Sequence, residues 1–306
     1  MTAATTRLRL TPDQERLMDM HTVLNLLNII VGELHLVQMD LVKPEILEPP
    51  IQKALAMKNL LHGEDREDFT PAVMQDFKDS ITAALQLAEA AQPELEDNEE
   101  FQIYRSNIEQ IFTIFDIRMD ELLTRWAMPD KWEVYTIDSF KRDFKKFLAS
   151  IEKHAKGRYR ILYNIAEQTH QDYLVHLDVT STREDEVVYF PLLFKDVMRD
   201  LVSNARKYTP PGGHITIGLA QLPKSIKFVV EDTGIGIPRG ELDKVLEFGY
   251  RASNVQNKRT MGGGFGLTKA LYVTQKFNGT LDLQSKEGEG TRITITLPLP
   301  EEMWDD

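Results

Sequence analysis

Asp200, Asn204 and Lys207 follow one another at spacings of four and three within DLVSNARKYTPPGG, residues 200–213. On a helix they share one face. An acid, an amide and an ammonium beside a glycine turn could hold a metal ion and phosphate oxygens together, although polar residues on a helix face are more commonly just solvated. In VVEDTGIGIP, residues 229–238, an apolar strand runs into Asp232, and Gly234 and Gly236 then turn the chain. That arrangement sets a carboxylate at the mouth of a core, where it can accept a hydrogen bond from an exocyclic amine; a capped tight turn is the plain alternative. GGGFGL, residues 262–267, opens a helix, and consecutive N–H groups at a positive helix end favour phosphate. Its glycines match neither the P-loop spacing nor a full GxGxxG. Between these segments lies EFGYRASNVQNKRTM, residues 247–261, polar, basic and rich in Asn. It is a lid over a ligand or an ordinary surface loop.

The elements that must position these residues change character along the chain. Residues 1–130 hold 11 basic and 24 acidic side chains, residues 131–306 hold 25 and 24, which supports a boundary near Pro129. The first half reads as helices over about 12–42, 51–61, 71–91 and 99–127, separated by stretches rich in Pro, Gly and charge. Leu17, Met20, Leu24, Leu27, Val31, Leu34 and Met39 make one apolar stripe of the first helix; Ile103, Ile108, Ile111, Phe115, Ile117 and Leu122 make that of the last. Such helices need one another, or a second copy of the chain, to cover their stripes. The second half reads as helices over 139–154, 191–208, 239–248 and 267–277. Its strands are expected at 160–164, 173–177, 214–221 and 225–231, with a closing hairpin of 279–285 and 291–297. The expected fold class is α+β: an all-helical bundle followed by an α/β sandwich.

Of 306 residues, 42% are hydrophobic and 27% charged, and none is Cys. Disulfides, thiolate metal sites and Cys nucleophiles are thereby excluded. The net charge of −12 does not suit a nucleic-acid partner. No uninterrupted apolar run reaches bilayer-spanning length, since Leu24–Val31 is short and broken by Asn25 and Asn28, and MTAATTRLRL lacks a signal-peptide core. The expected location is the cytoplasm, without membrane insertion.

The four ordered segments resemble the N, G1, F and G2 boxes of the GHKL ATPase superfamily, most closely the catalytic domain of two-component sensor histidine kinases. The likeness covers about residues 190–298, including the closing SKEGEGTRITITLPL. It implies an ATP site with Mg²⁺. Asn204 would coordinate the metal, Lys207 would contact phosphate oxygens and Tyr208 would line the cleft. Asp232 would bind the adenine amine, with Gly234 and Gly236 shaping the wall and Thr291 supporting the base. Gly262, Gly264 and Gly266 would anchor the lid and meet the phosphates, with Leu267 in the same segment. Asp200 stands where the family has Asn or Glu, so it is either a second metal contact or a positioner of water. Arg251, Lys258 and Arg259 are candidates for stabilising charge on the transferred phosphoryl group.

The same family implies a phosphoacceptor histidine on a helix of a dimeric bundle. Among seven histidines, His21 in MHTVLNLLN, residues 20–28, is similar to the family's H box, with Asn25 matching its later Asn or Thr. Three positions depart from it. Thr22 replaces the acid, Leu24 a basic residue and Leu26 the helix-bending Pro. A carboxylate after the histidine would favour the productive tautomer, and such assistance is worth roughly 10²–10⁴-fold. Without it autophosphorylation would be slow, would be lost, or would borrow an acid from the pairing helix: Asp116, Asp120 or Glu121. His35 is the fallback acceptor. About residues 45–97 form an insert between the hairpin arms, either a docking element or a thickening of the bundle. The resemblance implies a homodimeric histidine kinase of two units, 1–130 and 131–306. It would transfer phosphate to His21 and on to a separate response regulator, and could act as that regulator's phosphatase through Asn25. With no sensor domain expected before His21 and no receiver after Leu299, an upstream sensor protein would supply input. The rival readings are a nucleotide-binding phosphotransfer scaffold and a serine-directed or conformational GHKL ATPase. NARKYTPPGG argues against the last.

Overall fold

A computed structural model describes residues 2–3, 8–63, 68–153, 159–164, 171–255 and 264–304. The chain divides into two compact units, Thr11–Ala127 and Met1–Leu10 together with Met128–Asp306. The helical unit therefore starts at Thr11 and not at residue 1. The reason is that Thr2–Ala3 (β1) adds a short antiparallel strand to the sheet of the other unit.

In the helical unit, α1 (Pro12–Asp40) begins at a capping box in which the Thr11 side chain and Gln14 satisfy each other's backbone N–H, and Pro12 occupies the first turn. The remaining helices are α2 (Glu48–His62), α3 (Pro71–Ala91) and α4 (Glu99–Ala127). Each gives a seam at spacings of three and four: Val23, Leu27, Ile30, Leu34 and Val37 in α1, and Ile51, Ala54, Met57 and Leu61 in α2. The seams of α3 and α4 are Met74, Phe77, Ile81, Ala84 and Ala88, and Ile108, Ile111, Phe115, Met119 and Leu122. All are buried in a single core, where the rings of Phe77 and Phe115 meet edge to face at 6.4 Å. The helices thus cover one another within the chain. The stripe differs from the expected one: Met39 is 81% exposed, Ile103 52% and Ile117 53%. Because α1 is apolar on nearly every side, its periodicity alone does not select a face. By length and composition α1 is also apolar enough to cross a bilayer, a test that core helices pass as well. Nine of its residues are buried.

The other unit is a sheet with helices on one face. Its strand order is β1-β8-β9-β7-β6-β4-β3, with β3 (Ile161–Leu162), β4 (Tyr173–Ser181) and β6 (His214–Leu222) mutually parallel, and β7 (Ser225–Asp232), β8 (Thr280–Lys286) and β9 (Gly290–Pro298) antiparallel. Burial alternates along these strands: Ile215, Ile217 and Leu219, or Ile226, Phe228 and Val230, point into the core that α5 (Ile137–Lys153), α6 (Leu192–Tyr208) and α7 (Gly266–Lys276) cover. Two elements depart from the sequence reading. β2 (Trp132–Thr136) and β5 (Val187–Pro191) pair as a small separate sheet, so Pro191 ends a strand and caps α6 instead of lying inside it. The helix expected at 239–248 is only two 3₁₀ turns, Arg239–Glu241 and Lys244–Leu246, neither with a side-chain cap. The Glu241 carboxylate there accepts the Ser253 N–H at 2.8 Å.

Candidate nucleotide and phosphoacceptor sites

The last residue of β7 is Asp232. Its Oδ1 accepts the Gly234 N–H at 2.8 Å, and the backbone of Thr291, its register partner on β9, also donates to it. Burial nevertheless dominates and pushes the carboxyl up to about 6; the two backbone donors pull against this, and the charge of Glu231 adds a smaller upward push. A half-desolvated anion with unused acceptor capacity is well suited to an amine. The Thr291 hydroxyl lies 2.8 Å from Ser285 Oγ, which in turn accepts the Ile237 N–H at 2.9 Å, so strand and turn are tied together behind the carboxylate. Gly236 has φ +65°, and a Cβ there would stand 2.0 Å from the Lys286 carbonyl oxygen. Only glycine fits this turn.

On α6, Lys207 and Tyr208 occupy the last turn. The Lys207 ammonium lies 5.2 Å from the Tyr208 ring centre. Burial, then the charges of Arg251 and Arg206, bring the lysine down to about 8. Arg251 acts on Tyr208 as well, though burial raises that phenol overall. Cations gathered in a half-buried place weaken one another, and an anion bound among them would relieve the strain. Asn204 faces the start of α7. A Cβ on Gly266 would come within 2.8 Å of its Nδ2, so the amide and a helix N-terminus meet without intervening side chains. Leu267 packs partly buried against the core, and Gly264 holds φ +76° beside the Tyr250 carbonyl. Lys258, Arg259 and Gly262 lie outside the described residues.

Asp200 spends one oxygen on Lys269, whose buried Nζ is 3.2 Å from Asp200 Oδ2 and 3.5 Å from Asp196 Oδ2. Among the described residues no group of three or more His, Asp or Glu could cage a metal. Mg²⁺ does not require such a cage, since it is commonly held by one or two protein oxygens together with substrate phosphates and water. The Asn204 amide beside Gly266 fits that mode. Lys269 and Asn254 escaped the sequence reading. Asn254 Nδ2 donates to the Gly236 carbonyl at 3.0 Å, joining the Ser253–Val255 turn to the turn after Asp232. A lone lysine in the apolar GLTKAL could have flagged Lys269; no signal marks Asn254 among its polar neighbours.

In the helical unit His21 is half-buried on α1, and its Nε2 lies 3.1 Å from the amide nitrogen of Asn25 one turn on. With the amide as donor, Nε2 is the acceptor and the ring proton sits on Nδ1. Thr22 is half-buried beside it. Asp116 is paired with Lys78 at 2.8 Å and Glu121 with Arg118 at 2.7 Å, whereas Asp120 is exposed. His35 is exposed, with Nδ1 3.2 Å from Gln38 Oε1.

Residues 191–301 match the model of the histidine kinase-, DNA gyrase B-, and HSP90-like ATPase family. The chain is 39% identical over 112 residues to the sensor histidine kinase WalK of Bacillus subtilis, covering 36% of this chain and 18% of that one. It is 33% identical over 128 residues to the sensor histidine kinase RppB of Synechocystis, covering 40% and 28%. To the sensor-like histidine kinase SenX3 of Mycobacterium tuberculosis it is 25% identical over 241 residues, covering 79% and 56%. The chain therefore spans only part of the length of each of these relatives. A carboxylate at a strand end, an amide against a glycine helix start, and sequence likeness across both converge on one conclusion: residues 191–301 belong to the histidine kinase-, DNA gyrase B- and HSP90-like ATPase family, in a chain related to the two-component sensor histidine kinases.

Proposed function

We propose that this protein is an ATP-dependent histidine kinase of a two-component system that phosphorylates His21. The observation that carries the reading is the desolvated Asp232 carboxylate, braced by Gly234 and Thr291 within the matched family segment. Asp232 accepts the adenine amine, the Gly236 turn walls the base, and Lys207 with Arg251 receives phosphate charge. Asn204 would hold Mg²⁺, which would supply positive charge to offset that of the phosphates. His21 Nε2 gives its lone pair to the γ-phosphorus, the bond to the bridging oxygen breaks, ADP departs, and the Nδ1 proton is shed to solvent or base. The phosphoryl group then passes to an aspartate of a separate response regulator. Asn25, within hydrogen-bonding distance of Nε2, would orient a water that hydrolyses the regulator's aspartyl phosphate, releasing inorganic phosphate and the free aspartate. We place the protein in the cytoplasm, with α1 as a core helix rather than a membrane span.

Thr22 and the Asn25 contact on Nε2 favour a second reading, a nucleotide-binding phosphotransfer scaffold with little autokinase activity. The binding half common to both is tested by calorimetric titration of Mg-ATP into the native protein and Asp232→Asn. Binding by the native chain that weakens in a folded variant supports the site, and equal affinities remove it.

A further inference from the structure

A lysine is seldom buried, because an ammonium taken out of water must be paired. Lys269, in the first turns of α7, is 4% exposed, and Thr268, Ala270 and Leu271 beside it are buried as well. Its Nζ lies 3.5 Å from Asp196 Oδ2 and 3.2 Å from Asp200 Oδ2. The two acids differ. Asp196 is buried, whereas the Asp200 side chain is 37% exposed. Asp196, Asp200 and Asn204 follow at spacings of four and share one face of α6, while Gly266 and Lys269, three apart, share one face of α7. The two helices meet in successive rungs. Asp196 and Asp200 hold Lys269, and one turn further on Asn204 stands against Gly266, where a Cβ would come within 2.8 Å of the amide nitrogen. Two acids against one base leave this cluster negative beside the place proposed for phosphate. Replacing a buried ion cluster by apolar side chains is commonly neutral or stabilising, so stability alone is a weak reason for a lysine here.

We infer that Lys269 is a positioning residue for the phosphate end of the nucleotide site: it engages Asp200, one turn from the Asn204 amide, and sets how much of that carboxylate's charge the metal and the phosphates meet. The inference rests on the ATP reading of this site. Mg²⁺ is commonly held by one or two protein oxygens together with phosphates and water. With Oδ2 on the ammonium, Asp200 offers one oxygen and a partly cancelled charge. Without the ammonium it would present a whole carboxylate, which attracts Mg²⁺ but repels a polyphosphate that carries none. Asp196, nearly out of water, anchors the ammonium from the previous turn of α6.

The test is calorimetric titration of ADP into the full chain, once with Mg²⁺ and once with EDTA. The ratio of the two affinities reports the charge at the phosphate end, and a fold that is merely loosened lowers both alike. Taking one partner from a buried ion cluster is strongly destabilising, so the lysine is replaced in a chain that already carries Asp196→Asn, and thermal melts establish that each variant is folded. Relative to Asp196→Asn alone, adding Lys269→Met should raise the affinity ratio about tenfold, and adding Asp200→Asn as well should abolish that rise. Equal losses with and without Mg²⁺, or a rise that persists beside Asp200→Asn, would overturn the inference and leave Lys269 a packing residue. Asp200→Asn by itself, an isosteric change at a half-buried position, decides the matter where the lysine variants do not fold: the ratio should fall several-fold, and an unchanged ratio overturns the inference. If the native protein binds ADP under neither condition, the nucleotide reading itself fails and takes the inference with it.

Discussion

In the proposed site Asp232 accepts the adenine amine most strongly as an anion, yet its surroundings penalise the ion. Its carboxyl, raised from 3.8 to about 6, makes two predictions with opposite signs. Nucleotide affinity should fall as pH drops through about 6, because the protonated group loses an acceptor. Folding stability should respond the other way. A carboxyl with a folded value above its unfolded one destabilises the fold while ionised, and that penalty is relieved as pH falls from about 6 toward 4. Asp232→Asn removes the buried charge and keeps an oxygen for the Gly234 N–H. It should melt higher than the native protein at pH 7 without nucleotide, while binding ATP about ten- to a hundredfold more weakly, the equivalent of about 1.5–3 kcal/mol for a hydrogen bond to a charged group. Thermal melts and calorimetry at pH 5 and 7 check both signs. Lys207, lowered to about 8 by burial and the charges of Arg251 and Arg206, should regain its proton when phosphate binds. Binding near pH 8 should then take up protons, visible as a buffer-dependent enthalpy that Lys207→Met abolishes. At the acceptor, Thr22→Glu should raise the labelling rate, since a carboxylate after His21 would favour the productive tautomer; an unchanged rate would mean that the base comes from elsewhere.

Among the elements, some were legible in the sequence and others were not. Asp200, Asn204 and Lys207 share a helix face because period alone puts them there, and the strand ending at Asp232 followed from an apolar run meeting two glycines. The ion pair from Asp200 to Lys269 was hidden, since it joins α6 to α7 across 69 residues and no local rule relates them. The α1 stripe was misplaced because both sides of that helix are apolar, and only the packing of α2 and α3 selects the buried one. The stretch at 239–248 has helical spacing in Leu242, Val245 and Leu246, but the Glu241 contact to the Ser253 N–H and the missing caps leave it as 3₁₀ turns. The role of the insert can be tested by replacing residues 43–97 with a short Gly/Ser linker. That exposes the α1–α4 seam, and the shortened chain should melt well below the native protein. If it melts as the native protein does, α2 and α3 are not the cover that the core contacts make them.

At the scale of the whole molecule, the chain passes between its units twice. The first ten residues belong with the ATPase unit, through β1 and through the Leu8 N–H donated to Gln275 Oε1 at 3.1 Å, and the chain returns to that unit after Ala127. Within the helical unit, Arg125 in the last turns of α4 donates to the Asp19 carbonyl of α1 at 3.3 Å. The central claim, that phosphate moves from ATP in one unit to His21 in the other, is tested most directly by incubating the full chain with γ-labelled ATP and Mg²⁺ and treating the product with acid. The account predicts label on the native protein that acid removes, and no label on His21→Gln although that variant still binds ATP. Acid-stable label, or acid-labile label that survives His21→Gln, would contradict it.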